Sequence, residues 1–212
     1  MQGFGNVLIL GDSYSTFKEY IPEGYSYWYP QGESGGSNTD VTQVSETWWY
    51  QLMNETMSNL VLNDSYSGST ICSTERESMP GTHFNLRTDR MIKNGFFNEN
   101  EIDTIFIFGG TNDSWIDSPI GNIKYGQITE DDIKMILPAF SALISKLKSA
   151  SPNSKIIPLI NCGLKPEVAD GFEEICIHYG LTYIKFKDID KLSGHPSRKG
   201  MEQIKNAVKN LL

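Results

Sequence analysis

Gly11-Asp12-Ser13-Tyr14-Ser15 directly follows an apolar run, Val7-Leu8-Ile9-Leu10, that reads as a β-strand. A serine at a strand end is a candidate nucleophile, but its hydroxyl is weak at neutral pH and needs an adjacent base. The chain offers three histidines for that task, His83, His178 and His195. His178 sits near a helix end beside Tyr179-Gly180, where a histidine commonly meets the helix dipole. His83 lies in a Gly81-Thr82-His83-Phe84 loop and is the weaker competitor. His195, in Gly194-His195-Pro196-Ser197, follows the last predicted strand and precedes the C-terminal helix, and it is the candidate general base. A further segment, Gly109-Gly110-Thr111-Asn112-Asp113, follows Ile105-Phe106-Ile107-Phe108 and offers a side-chain amide at a second strand end. A serine, an amide donor and a late histidine are the parts of a serine hydrolase. Each segment taken alone has a plainer reading. Asp12-Ser13 would cap a turn, and Asn112-Asp113 is turn-prone.

The elements that must hold these residues alternate along the chain. Strands are predicted at Val7–Leu10, Leu60–Asn63, Asp103–Phe108, Lys155–Ile160 and Thr182–Phe186. Helical patterns occupy Glu46–Met57, Phe84–Asn94, Glu130–Ser149, Lys165–Tyr179 and Ser197–Leu212. Helices between strands imply βαβ units, a parallel sheet and right-handed crossovers. Continuous apolar strands suit a sheet buried on both faces. The predicted fold class is α/β: a three-layer α/β/α sandwich around a central parallel sheet of about five strands, flavodoxin-like, in a single domain over residues 1–212. Ligands of such sheets sit beyond the carboxyl ends of the strands, where Ser13, Asn112 and His195 all fall.

Composition narrows the partners. With 18 basic against 26 acidic residues the formal net charge is −8, and no run of Lys or Arg appears, which argues against nucleic acid and anionic membranes. Cys72, Cys162 and Cys176 are widely spaced and odd in number, so they read as free thiols of a reducing compartment rather than a disulfide scaffold or zinc site. The first strand starts near Asn6, leaving no room for a signal peptide, and no apolar run approaches the ~20 residues that span a bilayer. A cytoplasmic location is the expectation.

The blocks around Ser13, Gly68 (in Asn63-Asp64-Ser65-Tyr66-Ser67-Gly68-Ser69), Asn112 and His195 together resemble the SGNH hydrolases, also called GDSL esterases and lipases. The match spans nearly the whole chain in the expected order. It is not the G-x-S-x-G nucleophile elbow, which disfavours the α/β-hydrolase fold. The resemblance implies Ser13 as nucleophile and His195 as base. It assigns an oxyanion hole to the Asn112 side chain and the backbone N–H groups of Gly68 and Ser13. Preset donors aimed at the developing oxyanion are worth roughly 3–4 kcal/mol each. It implies no metal and no organic cofactor. His195-Pro196 followed by Gly200 also fits the family. One departure stands out: the family usually places an Asp three residues before the histidine, and here that position is Leu192. Either Asp188 or Asp190 takes over, or a backbone carbonyl near Leu192 fixes the tautomer and leaves a Ser/His dyad. The dyad is the favoured expectation.

Two long segments, Glu19–Ser45 and Ser114–Gln127, follow active-site strands and are expected to wall the pocket. The first carries Tyr25, Tyr27, Trp28 and Tyr29, whose rings suit stacking on sugar faces, whereas Trp48-Trp49 lie on a helical pattern and read as core. The expected activity is hydrolysis of acetyl or other short acyl esters, with a small-molecule or carbohydrate ester as substrate. A non-catalytic carbohydrate-binding protein and a lipid or thioester acyl hydrolase are the alternatives.

Overall fold

The computed structural model describes residues 3–31, 38–74 and 79–212. Residues 32–37 of the first long segment therefore lie outside the described residues. Strands β1 (Asn6–Gly11), β2 (Asn59–Ser65), β3 (Thr104–Phe108), β4 (Lys155–Ile160) and β5 (Ile184–Lys185) form a five-stranded sheet in the order β2-β1-β3-β4-β5. Every pairing in it is parallel. Helices α1 (Trp48–Thr56) and α7 (Arg198–Lys209) cover one face. Helices α2 (Phe84–Lys93), α5 (Ile136–Ala150) and α6 (Pro166–His178) cover the other.

The strands show why both faces must be covered. Successive side chains of a strand point to opposite faces. Leu8, Leu10, Ile105 and Ile107 enter the core beneath α2, α5 and α6. Val7, Ile9, Phe106 and Phe108 enter the core beneath α1 and α7. The sheet is therefore the middle layer of the expected α/β/α sandwich.

Boundaries moved where local chemistry overrode periodicity. The helix expected from Glu130 begins at Ile136, after a 3-10 turn at Asp132–Lys134 and an extended Met135. Pro138 then falls in the first helical turn, where its missing N–H costs nothing. The last strand pairs only over Ile184–Lys185. Short helices α3 (Phe96–Glu99) and α4 (Thr111–Trp115) fill stretches read as connections, so Ser114 and Trp115 are helical rather than loop. A small antiparallel hairpin, β6 (Lys191–Leu192) and β7 (His195–Pro196), was likewise not anticipated.

Register brings the site together. Gly11 pairs with Ser65 on one side and Phe108 on the other, so β1, β2 and β3 end level. The turns that follow them carry Ser13, Gly68 and Asn112 along one edge of the sheet.

Candidate active site

Ser13 opens a 3-10 turn capped by Asp12, whose side chain accepts the Tyr14 N–H at 3.0 Å. Two tryptophans of α1 brace this turn. Trp48 Nε1 donates to Ser15 Oγ at 3.2 Å, and Trp49 Nε1 donates to the Ser15 carbonyl at 2.9 Å. Both rings are buried, as the helical pattern implied, but they also buttress the Ser13 turn.

His195 meets Ser13 from the hairpin. Leu192 and His195 pair across it, and the two residues between them, Ser193 (φ 49°) and Gly194 (φ 79°), both have left-handed φ. That is the backbone of a two-residue type I′ turn. His195 Nε2 lies 2.8 Å from Ser13 Oγ, and Nδ1 lies 3.1 Å from the Ser193 carbonyl oxygen. With Nδ1–H donating to that carbonyl, Nε2 is left to accept the serine proton. Two buried tyrosines hold the hairpin in place: Tyr14 Oη donates to the Gly194 carbonyl and Tyr29 Oη to the Pro196 carbonyl, each at 2.7 Å.

Neither candidate carboxylate reaches the ring. Asp188 is exposed, and Asp190 accepts a hydrogen bond from the Ser197 hydroxyl at the start of α7. Leu192 leaves His195 with a carbonyl partner. Burial pushes the imidazole down to about 4, with the Ser193 carbonyl opposing the shift and the Lys191 ammonium adding to it. His195 is thus neutral, and able to accept a proton, across the physiological range.

Asn112 lies in α4 and donates from Nδ2 to the Ser69 carbonyl at 2.9 Å. An amide nitrogen carries two protons, so this bond fixes the side chain and leaves a second donor. Gly68 has φ 84°, and a Cβ there would meet Met79 Cε at 2.7 Å. The left-handed φ is what calls for glycine here; the Met79 side chain could move aside for a Cβ.

The other histidines are occupied elsewhere. His83 caps α2, accepting the Leu86 N–H at its Nδ1, and His178 at the end of α6 stacks on Tyr125 at 3.6 Å. Tyr125 therefore packs away from the serine. The loop aromatics divide as well. Tyr29, expected to face ligand, is fully buried because its hydroxyl has a carbonyl partner. Trp28 lies flat on His195, with centroids 3.5 Å apart and planes 9° apart. Tyr25 packs on Tyr66 at 4.9 Å. Together with Tyr27, Ser26, Lys18 and Glu19 these two line an open cleft of about 560 Å³.

Two residues with no role assigned from sequence hold the turns. Arg87 of α2 is buried and pairs with Asp64 at 2.5 Å; it also donates to the Gly11 carbonyl at 3.1 Å and to Ser69 Oγ at 3.2 Å. Asp113 accepts the Ile71 and Cys72 N–H groups at 2.9 and 3.1 Å. A signal for Arg87 was present: it falls on the apolar face of α2, three residues after Phe84 and four before Met91. Among the described residues no group of three or more His, Cys, Asp or Glu is placed to hold a metal ion.

Comparison with known proteins places this arrangement. Residues 5–212 match the sequence profile of the family described as GDSL-like Lipase/Acylhydrolase. A structure described as a GDSL-like lipase from Bacteroides uniformis is 41% identical, with a TM-score of 0.84 over 98% of this chain and 95% of that one. One from Bacteroides ovatus is 40% identical, with a TM-score of 0.82 over 98% and 97%. Est24, a carbohydrate acetylesterase from Sinorhizobium meliloti, shares the fold at 12% identity, with a TM-score of 0.65 over 98% and 97%. No curated protein matches the chain by sequence. A profile match over nearly the full length and two relatives above 40% or at it leave one assignment: the chain belongs to the GDSL-like lipase/acylhydrolase family, the SGNH ester hydrolases.

Proposed function

We propose that the protein is a serine esterase that removes acetyl or other short acyl groups from carbohydrate, through an acyl-enzyme on Ser13 with His195 as base. The observation that carries this reading is the 2.8 Å approach of His195 Nε2 to Ser13 Oγ, with Nδ1 anchored on a carbonyl. That is the nucleophile–base–orienter geometry in its minimal form.

The steps follow from the atoms present. Ser13 Oγ attacks the ester carbonyl carbon as its proton passes to His195 Nε2. The oxyanion that forms is met by the second Asn112 Nδ2–H and by the N–H groups of Gly68 and Ser13. Collapse breaks the bond to the leaving alcohol oxygen, which takes the proton back from Nε2. A water then gives its proton to His195 and attacks the acyl carbon, releasing the acid and free Ser13.

The substrate class rests on the surroundings. Ser13 is only 2% exposed, which suits a small acyl group better than a long chain. The tyrosine-lined cleft reaches the turn that carries Gly68: its Tyr66 is two residues from Gly68, and the Ser67 N–H donates to the Ser26 carbonyl. Amphipathic rings beside polar groups suit a sugar leaving group. The shared fold with a carbohydrate acetylesterase agrees with this reading.

Labelling with a fluorophosphonate, mapped by mass spectrometry, is expected to modify Ser13. Ser13→Ala and His195→Ala are each expected to abolish hydrolysis of p-nitrophenyl acetate while the protein stays folded. Activity that rises from acetate to octanoate would replace the short-acyl reading with a lipid hydrolase. An unlabelled, inactive but folded wild type would make the protein a binding module.

A further inference from the structure

The histidine lacks the carboxylate that normally stabilises its charged form, and its surroundings are aromatic instead. Trp28 covers one face at 3.5 Å and 9°. The Tyr14 ring is 5.4 Å away at 59°, and the Trp115 ring 5.5 Å away at 75°. The charge acting on the ring is the Lys191 ammonium on the hairpin, which disfavours the imidazolium; Lys191 Nζ lies 3.3 Å from Asn161 Oδ1 and 5.4 Å from the Tyr14 ring.

We propose that Trp28 is a positioning residue for His195: its indole face holds the imidazole plane and stabilises the positive charge the ring gains during catalysis, in the place of the acid missing at Leu192. The inference rests on the Ser13–His195 chemistry proposed above. When the Ser13 proton reaches Nε2, the ring becomes an imidazolium with Nδ1–H still on the Ser193 carbonyl. A cation over the face of an indole is attracted by the ring quadrupole, and most strongly where water is excluded. His195 is 5% exposed, so that condition is met. Among the described residues the Trp28 Nε1–H is buried without a hydrogen-bond partner, so stacking rather than a polar contact sets the ring against His195. Its backbone is pinned by the Trp28 N–H, which donates to Thr16 Oγ1 at 2.8 Å.

The test keeps the wall and changes only its electronics. Mono-, di- and tetrafluorinated tryptophan are placed at position 28 by amber suppression, in the full chain. Fluorination weakens the negative face of the ring with little change in size. kcat on p-nitrophenyl acetate is expected to fall stepwise, by about tenfold across the series, with KM within about twofold. Trp28→Leu should lower kcat by about 10- to 30-fold, and Trp28→Phe should recover most of the loss. A kcat flat across the fluorinated series overturns the proposal, as does an effect confined to KM, which would make Trp28 a substrate contact. If His195→Ala keeps full activity, the underlying chemistry is wrong and this inference goes with it. If His195→Ala is inactive and the series is flat, only the role of Trp28 fails.

Discussion

Asp190→Asn separates a dyad from a displaced triad. In the structure the Asp190 carboxylate accepts the Ser197 hydroxyl hydrogen bond and lies 3.7 Å from Lys199 Nζ. Ser197 Oγ in turn accepts the Gly200 N–H at 3.1 Å, capping α7. The charge of Asp190 thus serves the start of a helix, while His195 Nδ1 is held by the Ser193 carbonyl at 3.1 Å. Asparagine keeps the shape and an acceptor oxygen, so at most part of a cap is lost. A whole cap is worth about 1 kcal/mol, and the exposed contact with Lys199 adds close to nothing. For a chain of this size that lowers Tm by at most about 2–4 °C. The tautomer of His195 survives, so kcat should fall by less than about 30-fold, against about 10⁴ when a true triad acid is lost. Steady-state kinetics on p-nitrophenyl acetate and a thermal melt on the same preparation give both numbers. A kcat loss near 10⁴ with an unchanged Tm would refute the reasoning and make Asp190 the orienting acid. Asp188→Asn, at an exposed position, should change neither number.

Asn112→Ala should lower kcat by roughly 10²–10³ with a smaller change in KM, because the amide donates mainly to the transition-state oxyanion; a change confined to KM would make Asn112 a ground-state contact. kcat/KM should fall as pH drops through about 4, since His195 works only when neutral and burial holds it low; an acid limb near 6.5 would show the ring to be solvated. Asp12→Asn should flatten the pH dependence of stability. Burial pushes the Asp12 carboxyl up to about 7, so the native state binds that proton more tightly than the unfolded chain. Stability from this group is fully present below the ordinary carboxylate range and is lost as pH rises toward 7, at about 1.4 kcal/mol per pK unit. Urea unfolding at pH 5 and pH 8 should show a smaller difference for Asp12→Asn than for wild type, and an equal difference would place the titration elsewhere.

Strands were the most legible part of the chain because burial on both faces makes each a continuous apolar run. Val7–Leu10 and Ile105–Phe108 stand out on that ground alone, and their ends locate Ser13 and Asn112. The hairpin that carries His195 was hidden for the opposite reason. Its strands are two residues each, too short for periodicity or apolar content to mark them. What does mark it is Ser193-Gly194, a dipeptide suited to a turn with positive φ at both positions. Recognising that turn would have set Leu192 opposite His195 and removed Asp190 from contention. Trp28 and Tyr29 are adjacent and chemically alike, yet one faces the histidine and the other is core. Only tertiary contacts, here the Pro196 carbonyl that binds the Tyr29 hydroxyl, distinguish them.

The buried polar groups around the site explain how three separate turns keep one geometry. Arg87 alone reaches Gly11 at the end of β1, Asp64 near the end of β2 and Ser69 beside Gly68. Its guanidinium fork suits this because it presents several donors in fixed directions. Asp113 ties α4 to the chain at Ile71 and Cys72, and Asn112 ties it to Ser69. The turn with Gly68 is thus held from α2 and from α4 at once. Removing one partner of the Arg87–Asp64 pair would strand a buried charge, which is costlier than losing the attraction itself. The frame therefore tolerates little loosening, and a preset oxyanion hole needs that rigidity, since donors that must reorganise during the reaction stabilise the developing charge far less.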